Sequence, residues 1–454
     1  MKLSFLLIPA ILVFSFLSVT SFVNEKAPVK KHRPVKKLTS KEFKEMFQDA
    51  QELLDNNYYA DALSLFDNLW ASDTANCNVN FYIGVCYMNL RKQQTKAIDY
   101  FEKAILKTNI DYSDNYKETA APVFAYLYLG EAYHLAGKYK DALSYYTKFK
   151  TFLTKKNKDA DFTKEVNRAV EMTNNAIKLT AAPGRAKVEV FKITNSCFCD
   201  YTPVLSSDGK KLYFTSKRKG TMGGQLDNIG EYYDDIYFTQ LKNDKWSKPR
   251  KIGSKINSVE NDVLNCISAD GNELYFSRQG DGNSDIYVSK ASKKGKWSPP
   301  TKLDKIINTK YNETCAFISS DGSLLLFASN RPGGYGGYDL YISEKLENGN
   351  WGKPKNMGPQ INTAYDEQWP VLMPDGTLYF SSKGHETMGG YDIFKTTMSA
   401  DSTWKEPVNM GYPLNTPFDD INFNPTCTSG KKGFYTSARA GGFGDADIFQ
   451  FSFE

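Results

Sequence analysis

Hydrophobic and polar positions follow three rhythms along this 454-residue chain. Leu3 to Leu17 is an almost unbroken apolar run behind Lys2, and Val19-Thr20-Ser21 places small residues after it. A cation, an apolar stretch and a small-residue site in that order predict an export signal over residues 1–21. The competing expectation is an uncleaved N-terminal anchor, because Leu3 to Val23 approaches bilayer-spanning length. Residues 22–38 carry Pro and Lys with no apolar period and read as a basic, solvated linker.

From 39 to 180 the apolar positions recur at helical spacing, and one phrase repeats within them. Tyr59-Ala60-Asp61-Ala62-Leu63, Lys96-Ala97-Ile98-Asp99-Tyr100 and Tyr139-Lys140-Asp141-Ala142-Leu143 are its copies. A helix with a small residue beside aromatics precedes the later copies, as in Tyr82-Ile83-Gly84 and Tyr128-Leu129-Gly130. Ala62 to Ala97 is 35 positions and Ala97 to Ala142 is 45, the surplus falling in the polar stretch Thr108 to Ala121. The pattern predicts three helix pairs, a lengthened loop or helix end after the second, and a final helix over Asp161 to Leu179.

After Ala181-Ala182-Pro183-Gly184 the period shortens to two, with Gly, Asn, Asp and Ser between short strands. An Asp-Gly doublet before an aromatic strand recurs at Asp208-Gly209, Asp270-Gly271, Asp321-Gly322 and Asp375-Gly376, with a weaker copy at Ser429-Gly430. Downstream of each come a Gly-rich turn and a second strand, opening at Asp235, Asp285, Asp339, Asp392 and Asp447. Steps of 50, 54, 53 and 55 residues between those aspartates mark propeller blades, because a lone multi-strand blade cannot bury both of its faces. Four copies continue to a Trp and a Pro, at Trp246/Pro249, Trp297/Pro299, Trp351/Pro354 and Trp404/Pro407, and the fifth stops first. The outer strand it lacks is the one that Lys187 to Ile193 has to spare, so the ring of residues 187–454 is expected to close on its own N-terminal strand. About five blades are expected, with six left open.

The helical phrase resembles the tetratricopeptide repeat, which implies a curved solenoid whose groove holds peptides or helices. The β phrase resembles the WD40-like propeller repeat of TolB-like proteins, and Asn330-Arg331-Pro332-Gly333-Gly334 through Asp339-Leu340-Tyr341 is its clearest copy. The fold class expected is therefore α plus β in two domains, a tetratricopeptide solenoid followed by an all-β propeller. The combination is similar to cell-envelope proteins of Bacteroidota, including a type IX secretion and gliding-associated component that ends in an OmpA-like domain. With the repeats reaching Glu454, the peptidoglycan binding of that domain is not expected here.

Composition narrows the chemistry. Hydrophobic residues at 41% and charged residues at 24% are those of a globular protein, and a net charge of +5, much of it in Lys26 to Lys37, gives no reason to expect nucleic acid. Three histidines, widely spaced, argue against imidazole metal sites, and seven cysteines cannot all pair internally, though a disulfide at Cys197 or Cys199 stays open. Asp281-Gly282-Asn283-Ser284-Asp285 spaces oxygens as a calcium loop does but lacks its terminal Glu, so a turn is expected. No cofactor, metal or catalytic motif is expected.

One regularity goes beyond the fold. An Asn stands five residues before an acid at the start of each blade, in Asn195/Asp200, Asn257/Asp262, Asn308/Glu313, Asn362/Glu367 and Asn415/Asp420. Two readings follow. The acids Asp200, Asp262, Glu313, Glu367 and Asp420 form a ring at one channel mouth that attracts cations or basic peptides, or the pairs hydrogen-bond backbone between blades. The functional expectation is a non-enzymatic scaffold, soluble in the periplasm after signal removal, with protein partners in an envelope secretion or motility assembly. The alternative is a glycan-binding or carbohydrate-active propeller that uses the ring carboxylates.

Overall fold

The computed structural model describes residues 37–90, 92–153, 160–222, 224, 232–280, 282–401, 403–426 and 430–454. The expected signal segment, nearly all of the basic linker, Asp281 and Ser429 lie outside the described residues. The chain divides into two compact units, with the change at Ile177–Lys178. Among the described residues no helix is long and apolar enough to cross a membrane.

Among the described residues the first unit is built of seven α-helices, α1 (Ser40–Asp55), α2 (Tyr59–Ser72), α3 (Cys77–Asn89), α4 (Ala97–Ala104), α5 (Ala125–Leu135), α6 (Tyr139–Lys150) and α7 (Ala160–Ala181), the last running on past Ile177. The start of α1 is fixed by a reciprocal cap. Thr39 Oγ1 accepts from the Glu42 amide while the Glu42 carboxylate accepts from the Thr39 amide at 2.8 Å, satisfying two donors that the first turn leaves free. Pairs α1/α2, α3/α4 and α5/α6 pack antiparallel around rings, with Phe47, Phe66, Tyr82, Phe101 and Tyr146 buried. Two helical glycines set the spacing. A Cβ on Gly84 would lie 2.5 Å from the Phe101 ring, and one on Gly130 would lie 2.5 Å from the Tyr146 ring.

The second unit is a five-bladed ring. Its innermost strands are Asp200–Leu205, Asp262–Ile267, Glu313–Ile318, Glu367–Leu372 and Asp420–Pro425. Each pairs antiparallel with the aromatic strand after it, which pairs in turn with the strand opened by the repeated aspartate. Short outer strands such as Thr301–Lys302 and Lys355–Asn356 finish blades two to four. In the fifth blade the outer strand is Ala186–Val190 from the start of the unit, with Val190 opposite Phe449 and Ala186 opposite Phe453. Ring closure by the N-terminal strand is therefore as the strand deficit required, and five blades, not six, are formed.

The apolar residues explain why a ring forms at all. Each cluster lies between two blades. Cys266, Tyr275 and Ile286 of the second blade meet Ala316, Leu325 and Phe327 of the third, and Leu326, Ala328 and Leu340 meet Leu378, Phe380 and Phe394 of the fourth. A blade removed from its neighbours would expose two such faces to water, so the sheets are stable only as a closed set.

Candidate functional site

The repeated Asn residues close the blade interfaces. Each side-chain amide spans to the preceding blade and exchanges two hydrogen bonds with one backbone residue there. Asn362 Nδ2 donates to Leu340 O at 3.0 Å while its Oδ1 accepts from Leu340 N at 2.7 Å. Asn195 does the same with Ile448, Asn257 with Ile236, Asn308 with Ile286 and Asn415 with Ile393. The amide stands in for a missing strand partner, so its loss leaves two buried backbone groups without one.

The five acids are the second half of that joint. Asp200, Asp262, Glu313, Glu367 and Asp420 are all 0% exposed. Each accepts from the backbone amide and hydroxyl of the Ser or Thr four residues earlier, as Glu313 does from Thr309 N at 2.7 Å and Thr309 Oγ1 at 2.9 Å. Four of them also hold an arginine. Arg278 reaches Asp262 at 2.6 Å, Arg331 reaches Glu313 at 3.0 Å, Arg439 reaches Asp420 at 2.8 Å, and Arg218 pairs with Asp200. The same guanidinium donates to the carbonyl just before the clamping Asn, for example Arg331 to Ile307 O at 2.7 Å. It also stacks between two rings, Arg331 lying 5.0 Å from both Phe327 and Tyr341. Sequence reasoning identified the equivalent positions but not their burial. A carboxylate ring displayed to cations or basic peptides is replaced by five internal latches, because each negative charge is removed from solvent and, in four blades, neutralised within its own blade.

The fourth blade departs from the rule. His385 occupies the arginine position, its Nε2 2.9 Å from Ile361 O and its ring packed by Phe380 and Phe394. Glu367 is held by Thr363 and by the Ser382 hydroxyl at 2.6 Å. Without a guanidinium to offset burial, its carboxyl is pushed up to about 7.

The innermost strands carry a further feature that alternation does not reveal. All five are bulged, and in four the third residue is left-handed, with φ of 50° at Thr202, 54° at Cys315, 51° at Trp369 and 52° at Asn422. Beside them Lys383, nearly buried, lies 3.3 Å from Asp366 and 4.5 Å from the Tyr391 ring centre, and Tyr391 meets Trp369 edge-on at 5.1 Å. The six described cysteines are unpaired, Cys197 exposed and Cys199 buried. In the segment read as a turn, Asn283 Nδ2 donates to Thr309 O and Tyr311 O. Among the described residues no group of three or more His, Cys, Asp or Glu could hold a metal ion.

The helical unit offers a different kind of surface. The stretch between α4 and α5 is a closed loop whose neck is a parallel bridge, Thr108 opposite Ala121 and Asn109 opposite Pro122. Its tip crosses two of the helices that open successive pairs. Asp114 accepts from Gln51 Nε2 of α1 at 2.8 Å and from the Tyr82 hydroxyl of α3. The Tyr112 hydroxyl donates to Asn78 Oδ1 of α3 at 2.6 Å, and Lys44 of α1 lies 5.6 Å from the Tyr116 ring centre. Thr119 O receives the amides of Cys77 and Asn78 at the start of α3. Farther along, Glu131 of α5 keeps its buried Oε1 without a hydrogen-bond partner, and burial together with Glu165 pushes its carboxyl well above the usual range.

Comparison with known proteins matches the tetratricopeptide repeat family to residues 79–107 and 124–151. The two matches flank the loop and exclude its tip. Among solved structures, TolB from Acinetobacter baumannii is 16% identical, with 64% of this chain and 70% of that one covered and a TM-score of 0.35. The Yersinia enterocolitica type III secretion chaperone SycD, in complex with a peptide of the translocator YopD, is 16% identical over 30% of this chain and 95% of its own, with a TM-score of 0.25. An aldose sugar dehydrogenase from Streptomyces coelicolor is 11% identical over 60% and 99%, with a TM-score of 0.33. None of the curated proteins matches.

Proposed function

We propose that this protein is a non-enzymatic binding scaffold whose helical unit engages a segment of a partner protein across α1, α3 and α5. The observation that carries the reading is the stack of helix pairs with two tetratricopeptide matches, since stacked pairs bury a continuous core on one side and leave their first helices as an extended receiving surface. The propeller supplies a rigid platform for a second partner. Export to the periplasm rests on the apolar run after Lys2, and a place in an envelope secretion or motility assembly rests on the resemblance of the combined repeats. Support for a non-enzymatic role comes from the ring acids, which are buried and hydrogen-bonded where an acid–base catalyst must reach its substrate.

The test is affinity capture from envelope extracts of the source organism with the full chain and with a Gln51→Ala, Glu131→Ala variant. The reading predicts a protein recovered by the wild type and lost from the variant. Equal recovery by both would move the contact away from the helices, and no partner with either would remove the scaffold role. Hydrolysis of any member of a glycan panel, lost on Glu367→Gln, would favour a carbohydrate-active ring.

A further inference from the structure

The loop between α4 and α5 lies across α1 and α3, two of the helices given above as the receiving surface. It is closed at its neck by Thr108 and Ala121, it lies between the two tetratricopeptide matches, and its tip is held by side chains of α1 and α3. The tip's apolar burial comes from two partly buried rings, Tyr112 and Tyr116, the second packed against the helical core. Ile110 is 46% exposed, and much of the bonding within the tip is short-range, such as Asn109 Oδ1 to Asp111 N and Asn115 Oδ1 to Lys117 N. Segments held by few apolar contacts open at small free-energy cost compared with the helices beneath them.

The receiving pocket is also incompletely satisfied by the loop. Asn78 is 0% exposed, its Oδ1 takes the Tyr112 hydroxyl, and its Nδ2 has no hydrogen-bond partner. A buried donor left without an acceptor is a standing cost that a better-fitting ligand removes. The remaining donors, Gln51 Nε2 and the Tyr82 hydroxyl, are neutral and converge on one carboxylate oxygen of Asp114.

We propose that residues 109–118 are a built-in occupant of the receiving surface, displaced by an extended acidic peptide segment whose carboxylate takes the place of Asp114 on Gln51 and Tyr82. The proposal rests on the helical unit being a binding surface, and adds that the surface is closed until the loop lifts. A ligand of this class places a carboxylate where Asp114 lies and an acceptor at Asn78 Nδ2, which the Tyr112 hydroxyl, a donor to Asn78 Oδ1, does not supply.

The probe is a fluorescein-labelled peptide of the loop's own sequence, NIDYSDNYKE, titrated into the full-length protein by fluorescence anisotropy. Wild type should bind it weakly because the tethered copy competes. Asp114→Ala, which weakens that copy, should bind at least about tenfold more tightly, and adding Gln51→Ala should return binding to the wild-type level. Tyr112→Phe, which removes the bond to Asn78, should tighten binding by a smaller factor. Asp114→Ala binding no more tightly than wild type, with helical circular dichroism intact, overturns the proposal. Unfolding of the helical unit by both Asp114→Ala and Tyr112→Phe also overturns it, since the loop would then be part of the core. Because no natural partner is used, this outcome and that of the capture experiment are separable.

Discussion

Replacing Arg331 by Met tests whether the ring acids are latches. Glu313 is wholly buried and keeps Thr309 and Ser329 after the change, but it loses the guanidinium 3.0 Å away. Stranding one partner of a buried pair costs about 3–5 kcal/mol. For a unit of this size that lowers the melting temperature by roughly 10 °C. Five of the six tryptophans lie in the ring, so thermal unfolding followed by tryptophan fluorescence reports on it. Adding Glu313→Gln should restore most of the loss. A deficit under about 1 kcal/mol, or one that Glu313→Gln leaves undiminished, would refute the latch.

Glu367 already lacks such a cation, and its carboxyl at about 7 against an ordinary 4.5 means the native state holds a proton that the unfolded state releases. That contribution is complete below pH 4.5 and is lost as pH rises through 7, about 3 kcal/mol in all; Glu367→Gln should flatten this part of the urea-denaturation profile between pH 5 and 8. Asn362→Leu removes both bonds to Leu340 and should cost about 2–4 kcal/mol in the same assay, whereas a loss below 1 would show that water replaces the clamp. Gly84→Ala forces a methyl against Phe101 and should destabilise the helical unit by about 1–3 kcal/mol without moving the ring's tryptophan transition.

Repetition made most of the architecture legible. Asp-Gly before an aromatic strand, and Asp-Ile-Tyr after a glycine turn, recur because each blade solves the same packing problem, and the missing fifth outer strand pointed to Lys187 onward. The Asn-to-acid spacing located the joints correctly. What spacing could not carry was depth. Asp200 meets Arg218 and Glu313 meets Arg331, each 18 positions away on the far side of a strand turn, and only the fold brings the pair together out of water. Arginine stood in the repeated phrase, and its partner could have been sought there. The substitution of His385 in the fourth blade and the seating of Asp114 on Gln51, 63 residues apart, left no periodic trace.

The central claim is that partner binding resides on the helical surface that the loop covers, so the most direct measurement is photocrosslinking from inside it. A photoreactive residue at position 44 of the full-length protein, where Lys44 of α1 lies 5.6 Å from the loop's Tyr116 ring centre, with a second at the exposed Tyr335 of the propeller for comparison, would be irradiated in envelope preparations and the adducts identified by mass spectrometry. A discrete protein adduct from position 44, strengthened by Asp114→Ala, is expected. Adducts from position 335 alone, with none from position 44 in either background, would contradict it.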